Sequence, residues 1–300
     1  DVDVLKAREK ALFGTAADDS REGNQKSRIR LALQHWHEGK MHEHQPLAMV
    51  RHDEVQRTKY QVEPLNYLGY GPIDRGRLKN GAAIQANEVN WLKLVFPDAN
   101  AKEIVLALSL ANWFGTIGGR GRNGWGSLEW RAQDDSTPAL ASMTLAILER
   151  TDCVRPLARC LDLDWPHAIG ADNKGPLVWQ SMQRYGDWGK AMRFLAQTKI
   201  GFRVALGFVG GQVHREPQRR HVLAYPVTSH KVAGWEGANK GRLANTLRFK
   251  LHTESDGTLR ALIYHTPCKP TLPHQGIDLL DTWREVHSLL DANAQLTRLA

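Results

Sequence analysis

Arg120 and Arg122 stand between glycines in the run Phe114-Gly-Thr-Ile-Gly-Gly-Arg-Gly-Arg-Asn-Gly-Trp-Gly-Ser-Leu128, and six glycines fall within the twelve residues from Gly115 to Gly126. Glycine lets backbone N–H groups approach an anion closely and in unusual dihedrals. Guanidinium groups clamp phosphate oxygens through bidentate hydrogen bonds. The chemistry on offer is phosphate binding, with Gly118, Gly119, Arg120, Gly121 and Arg122 as the candidate contacts. Read as text, Gly119 to Gly124 also satisfies G-x-G-x-x-G. A dinucleotide loop, however, follows a strand and opens a helix. Here the order is reversed. Asn100 to Trp113 is rich in helix formers and has a cap candidate in Asp98 or Asn100. After the loop, Trp125, Leu128 and Trp130 read as a short strand. No G-K-[ST] ending follows, so a Walker loop is excluded as well.

Basic residues recur at Lys26, Arg28 and Arg30, at Arg215, Arg219, Arg220 and His221, and at Lys240 and Arg242. Trp36, Trp125, Tyr225 and Trp235 lie among them. Such a mixture suits single-stranded nucleic acid, where cations track the backbone and rings stack on bases. His35, His37, His42, His44 and His52 include His-x-His pairs that could ligate zinc. They flank Glu38, Gly39 and Lys40 without a cysteine, and the reading is a solvent-exposed insertion over 35–57 that holds no metal or other cofactor. Asp18-Asp19 and Asp134-Asp135 are carboxylate pairs in loop-like surroundings. Adjacent carboxylates on a strand would face opposite ways. With neither a nucleophile–base pair nor a metal triad, no catalytic residue is expected.

These residues must be positioned by elements that the hydrophobic pattern suggests. Val4 to Phe13 reads as a helix stopped by Gly14, and Arg28 to Gln34 as a half-buried strand with Arg28 and Arg30 on its basic face. Val89 to Phe96 is the next strand, and Ser136-Thr137-Pro138 opens a helix running to about Glu149. Ile200 to Val209 and His221 to Val227 read as strands. A hairpin over 240–251 and 259–265 turns at Ser255-Asp256-Gly257, and Asp278 to Leu299 is a closing amphipathic helix. The class is α+β, in two halves divided at 1–155 and 156–300.

Bulk composition agrees with a globular chain of this size. The 300 residues are 42% hydrophobic and 24% charged, with a formal net charge of +8. That balance favours a polyanionic partner. No apolar run of spanning length exists, so no membrane is expected. Cys153, Cys160 and Cys268 are too few and too scattered for a disulfide framework, which makes a reducing cytoplasm the simplest location.

The Gly-rich run resembles the glycine-rich loop of the RAMP superfamily of CRISPR proteins, which lies between the last helix and last strand of a ferredoxin-like, RRM-like domain. The chain is most similar to the family of first subunits of the Cmr complex, the type III-B CRISPR effector. That family carries a Leu-Phe-Gly segment and a Ser-Arg-hydrophobic strand, seen here as Leu12-Phe13-Gly14 and Ser27-Arg28-Ile29. It also carries segments matching Tyr67 to Gly71, Arg219 to Pro226, and Arg242 to Leu251. The resemblance implies tandem ferredoxin-like domains with antiparallel sheets, and the Gly loop immediately before an inner strand. It implies a non-catalytic RNA-binding subunit of an antiviral ribonucleoprotein, placed near the 3′ end of the guide RNA. Guide RNA, target RNA and other effector subunits are the implied partners. The alternative is a metal-independent endoribonuclease acting on guide precursor, with His35, His37 or His221 as base or acid. Two departures stand out. The family opens with a strand and an Arg/Trp-rich helix start not seen here, so the first strand of the first domain is expected to lie outside this numbering or to come from another chain. Asn123 also takes the place of a loop arginine.

Overall fold

The computed structural model describes residues 2–15, 24–55, 59–74, 76–79, 81–133, 148, 153–235 and 241–299. In the first half, helix α1 (Val2–Phe13) precedes strand β1 (Arg30–Leu33), the short helix α2 (Pro64–Gly69), strand β2 (Leu92–Val95) and helix α3 (Ala101–Phe114). The second half holds β3 (Val178–Ser181), α4 (Trp188–Ala205), β4 (Leu247–Thr253), β5 (Leu259–His265), α5 (Leu279–Asp291) and β6 (Leu296–Arg298). Among the described residues no helix is long and apolar enough to cross a membrane.

The largest sheet of the second half is built in the order β-α-β-β-α-β with its two long helices, and its four strands pair antiparallel in the order β4-β5-β3-β6. The short pairs Val154–Pro156 with Ile169–Asp172 and Val213–His214 with Lys231–Val232, outside that sheet, are parallel. Period-2 alternation explains the sheet's two faces. Leu247, Phe249 and Leu251 of β4, with Ala261 and Ile263 of β5 and Trp179 of β3, share the main core with α4 and α5. Leu262 and Tyr264 of β5 and Val178 of β3 pack on the other face with Phe114 of α3 and Leu148. Each large apolar side chain buried this way contributes about 1.5–3 kcal/mol. Both helices begin on side-chain caps: Asp187 accepts from the Lys190 N–H, and Asp278 from the Asp281 N–H. Residues of the first half, Val50, Leu65 and Leu68, complete the main core.

Several sequence readings hold. α1 is stopped by Gly14 at φ 79°, α3 lies where expected, and β4 and β5 form the hairpin around Gly257 at φ 79°. Others are corrected. Ile200 to Ala205 is the end of α4 rather than a strand. Its β-branched and aromatic residues suggested a strand, yet their spacing continues the apolar stripe that starts at Ala191. His221 to Leu223 is a single 3-10 turn, followed by an isolated bridge at Tyr225. The closing helix ends at Asp291, and an Asn293 turn lets Leu296–Arg298 return as the edge strand β6. β1 pairs with β2 but is exposed along its whole length, with Leu31 66% exposed, so it is not half-buried. Among the described residues no strand directly follows the Gly loop; Ser127 forms an isolated bridge to Thr116, and Asn123 one to Phe249. The predicted helix over 136–149 and both Asp pairs lie outside the described residues, apart from Leu148, which is helical.

Part of the His-rich segment is also corrected. His35, His37 and His42 are exposed, but His44 and His52 are buried. The strand pair Val50–Arg51 with Gln61–Val62 ties this stretch to the body, and His52 meets the Tyr67 ring edge-on at 5.6 Å.

Buried imidazoles make stability acid-sensitive. His265 joins Thr246 Oγ1 at 3.0 Å to His287 Nε2 at 2.9 Å inside the core. Burial pushes His287 down to about 3 and His221 down to about 4, and holds His265 well below its ordinary value. Each folded value lies below the unfolded value of about 6.5, so the unfolded chain binds more protons between them. Stability is therefore complete above about pH 6.5 and falls as pH drops toward 4, each imidazole adding up to about 1.4 kcal/mol per pH unit. Thermal melts from pH 7.5 to 4.5 should show Tm falling only below about 6.5. A flat profile would contradict the burial of these rings.

Candidate nucleic-acid interface

The Gly loop begins where α3 ends, and that end is held on the sheet. Lys250 Nζ donates to the carbonyls of Gly115 at 2.5 Å and Leu128 at 2.9 Å. The Tyr264 hydroxyl donates to the Phe114 carbonyl. Helix C-termini leave carbonyls unpaired and carry partial negative charge, so a buried ammonium there is well matched. Burial lowers Lys250 to about 8, which leaves it protonated at neutral pH. Beyond this clamp the loop runs along β4: Phe249 N–H donates to the Arg122 carbonyl at 3.1 Å, and Leu251 N–H to Ser127 Oγ at 2.9 Å. An otherwise open strand edge is covered in this way.

Inside the loop, Ile117 N–H bonds the Gly126 carbonyl at 3.0 Å, and Asn123 N–H bonds the Arg120 carbonyl at 2.8 Å. Gly118 and Arg120 are left-handed, at φ 79° and 60°, with Gly119 between them outside that region. Such alternation gathers successive N–H groups into an anion-binding concavity. A left-handed arginine costs roughly 1–2 kcal/mol. Among the described residues, the backbone N–H groups from Gly118 to Arg122 make no hydrogen bond.

Asn123 sets the loop's depth. Its side chain is buried, donating to the Leu68 carbonyl at 2.7 Å and accepting from Lys199 Nζ at 2.8 Å. Asn123 is thus a structural tie between α2, the loop and α4. Pro72 lies under Gly119, and Gly71 lies beside the Arg120 guanidinium.

The loop's arginines meet other cations. Burial and then Arg242 lower Arg120, and burial and then Arg248 lower Arg122. Lys199 and Arg203, one turn apart on α4, lie behind the loop. Lys199 is held well below its usual value by burial, Arg203 and Arg120. Arg203 is lowered by burial, with Arg220 also opposing its charge. Among the described residues, no carboxylate lies within ion-pair distance of Arg120, Arg122, Lys199, Arg203, Arg242 or Arg248. Lys199, Arg203 and Arg248 escaped the sequence reading. The i, i+4 spacing of Lys199 and Arg203 signals a shared face only once the segment is recognised as helical.

The other sequence candidates lie elsewhere. Arg219 is engaged by Asp281 at 3.0 Å and Glu285 at 2.5 Å. Arg220 is buried against Glu54 at 2.5 Å with its guanidinium over the Phe208 ring. His221 is fully buried, and its Nδ1 accepts from the Gln218 N–H. Lys26, Arg28 and Arg30 are exposed beside β1, and no hydrogen bond or ion pair among the described residues links them to the loop. Arg28 N–H instead bonds the Leu12 carbonyl at 3.0 Å, which brings the Leu12-Phe13-Gly14 and Ser27-Arg28-Ile29 segments together. Lys240 is outside the described residues. Among those described, no three His, Cys, Asp or Glu groups converge on a possible metal position.

The loop glycines differ in what they protect. A Cβ at Gly126, where φ is 65°, would lie 1.8 Å from the Ile117 carbonyl oxygen, whereas one at Gly118 would meet nothing within 4 Å. Gly126→Ala should therefore open the loop and destabilise by more than about 2 kcal/mol, and Gly118→Ala by only about 1 kcal/mol. Equal denaturant midpoints for the two variants would contradict this loop geometry.

No family model matches this chain, and no curated protein matches it. Among solved structures, the chain is similar to the crystal structure of Cmr1 from Pyrococcus furiosus in its apo form. The similarity covers 100% of this chain and 84% of that chain, at 14% sequence identity and a TM-score of 0.41.

Proposed function

We propose that this chain is a non-catalytic RNA-binding subunit of a type III-B CRISPR (Cmr) effector, holding the 3′ region of guide RNA and contacting guide or target RNA in antiviral defence. The observation that carries the reading is the cationic tract around the Gly loop. Arg120, Arg122, Lys199, Arg203, Arg242 and Arg248 are brought together with no described carboxylate in ion-pair range, beside unpaired loop N–H groups. Like charges held this close cost stability, and phosphates would repay the cost. The sequence segments supply the family context, including guide RNA, target RNA and effector subunits as partners in the cytoplasm. The β-α-β-β-α-β order of the second half supports a ferredoxin-like domain over 156–300. The reading assigns a second such domain to 1–155.

An endoribonuclease would need an accessible general base or acid. Of the three histidines that reading would use, His35 and His37 are exposed, whereas His221 is poorly suited, being fully buried among Phe208, Tyr225 and Trp235 and lowered to about 4 by that burial. Incubation of the protein with guide precursor in EDTA should leave the RNA intact. Site-specific cutting would overturn the non-catalytic reading.

The binding reading has its own test. Each phosphate contact to a single strand contributes a slope of about 0.7 in log affinity against log salt. Arg120→Ala with Arg122→Ala should weaken single-stranded RNA binding and flatten that slope by about 1.4 units. Tm should hold or rise, because both arginines face other cations. An unchanged slope would remove the loop from the interface.

A further inference from the structure

Among the described residues, the sheet face turned away from α4 and α5 is covered only in part. The α3 terminus seals it around Tyr264, Leu262 and Lys250. Toward Thr253 it opens into a cavity of about 260 Å³ lined by Trp113, Gln180, His252, Glu254, Arg260 and Leu262. This is smaller than the ~300–1,000 Å³ of pockets for drug-sized ligands, and suits a single ring system.

The lining is built for a flat, hydrogen-bonding guest. The Trp113 indole and His252 imidazole are stacked, with centroids 4.5 Å apart and planes 22° from parallel. Burial lowers His252, so that ring is neutral at pH 7 and bears no charge toward the cavity. Arg260 is already committed: it donates to Glu254 Oε1 at 2.6 Å and to the Ser181 carbonyl at 2.9 Å. That pairing fixes the Glu254 carboxylate as a wall, and its Oε2, in an ion pair with Arg184 at 4.0 Å, lies beyond hydrogen-bond distance of that cation and can accept. The Gln180 side-chain amide makes no hydrogen bond among the described residues, so it offers both a donor and an acceptor.

We infer that this cavity binds an unpaired nucleobase carrying an exocyclic amino group, adenine or cytosine. An amide pairs with adenine through two hydrogen bonds, and a carboxylate accepts from the amino group of cytosine. The facing sides of the indole and imidazole are taken by each other, and an outer face of that stack supplies the surface that single-strand binders use for a base. The inference extends the RNA-binding reading by assigning the base to the same bound strand. The recognition chemistry itself does not need the arginine loop: His252 lies four residues along β4 from Arg248, about 13 Å at strand rise.

The test uses nucleosides, which carry no phosphate for the arginines to hold. Adenosine, inosine, cytidine and uridine are titrated into the full chain and followed by tryptophan fluorescence and saturation-transfer NMR. Adenosine and cytidine should bind about tenfold tighter than inosine and uridine, the scale of one paired contact. His252→Ala and Gln180→Leu should each weaken adenosine by about tenfold, comparable with loss of one base–aromatic stack. Trp113→Phe, which keeps an aromatic face, should retain most of it and guards against a folding defect in the first two. Equal affinity for all four nucleosides, no binding at millimolar concentration, or full affinity in both His252→Ala and Gln180→Leu would overturn the inference. Arg120→Ala with Arg122→Ala should leave adenosine binding unchanged. If that variant also keeps its RNA salt slope, the loop reading falls while the base pocket stands.

Discussion

The capture of the α3 C-terminus by Lys250 and Tyr264 is the interaction on which the candidate site depends. The last carbonyls of a helix lack intrahelical partners and are costly to bury unpaired. Here they meet an ammonium and a phenol presented by adjacent strands of the four-stranded sheet. Lys250 also binds the Leu128 carbonyl, so both ends of the Gly-rich run are tied to one nitrogen. The loop between them then has a fixed origin and return, and its middle is laid along the edge of β4. A hydrogen-bonded loop of this kind presents its N–H groups without first having to order them.

That anchoring explains how so many cations can be held together. Arg120 and Arg122 leave the loop on backbone conformations fixed from below, and Lys199 is tied to Asn123. The energy that keeps Lys199 and Arg203 behind the loop comes from the apolar contacts of α4, including Met192, Leu195 and Phe202, rather than from charge pairing. Scattered solvated arginines would have no such arrangement. By contrast, Arg219 and Arg220 are neutralised by Asp281, Glu285 and Glu54, and their role in the fold is to join loops to α5 and to the His52 segment.

The same clamp divides one sheet face into two environments. At one end Arg248 and Arg122 stand beside Tyr264, and at the other His252 and Trp113 border an open cavity. Alternation along β4 accounts for this: Arg248, Lys250 and His252 share a face because every second residue does. One strand thus supplies a cation, an anchor and an aromatic wall.

The sequence alone determined the local features whose signals are short-range. The Gly-Arg run announced a loop, Gly14 and Gly257 marked turns, and the runs 240–251 and 259–265 about Ser255-Asp256-Gly257 pointed to the hairpin whose strands are Leu247–Thr253 and Leu259–His265. Where two local signals competed, the tertiary structure decided. Ile200 to Ala205 has the residue types of a strand but extends α4, because continuing the helix keeps Ile200 and Phe202 in the core. Leu296 to Arg298 left the helix to supply a strand because the sheet offered β3 an edge. The site's membership was decided in the same way. Lys199, Arg203 and Arg248 are single basic residues in apolar stretches, without a motif to flag them. Asn123, which reads as a missing arginine, became the tie that holds Lys199 at the loop. Spacing along a chain encodes dihedrals and faces; which charges are left without a counter-charge depends on contacts between residues far apart in sequence, and only the folded structure fixes those.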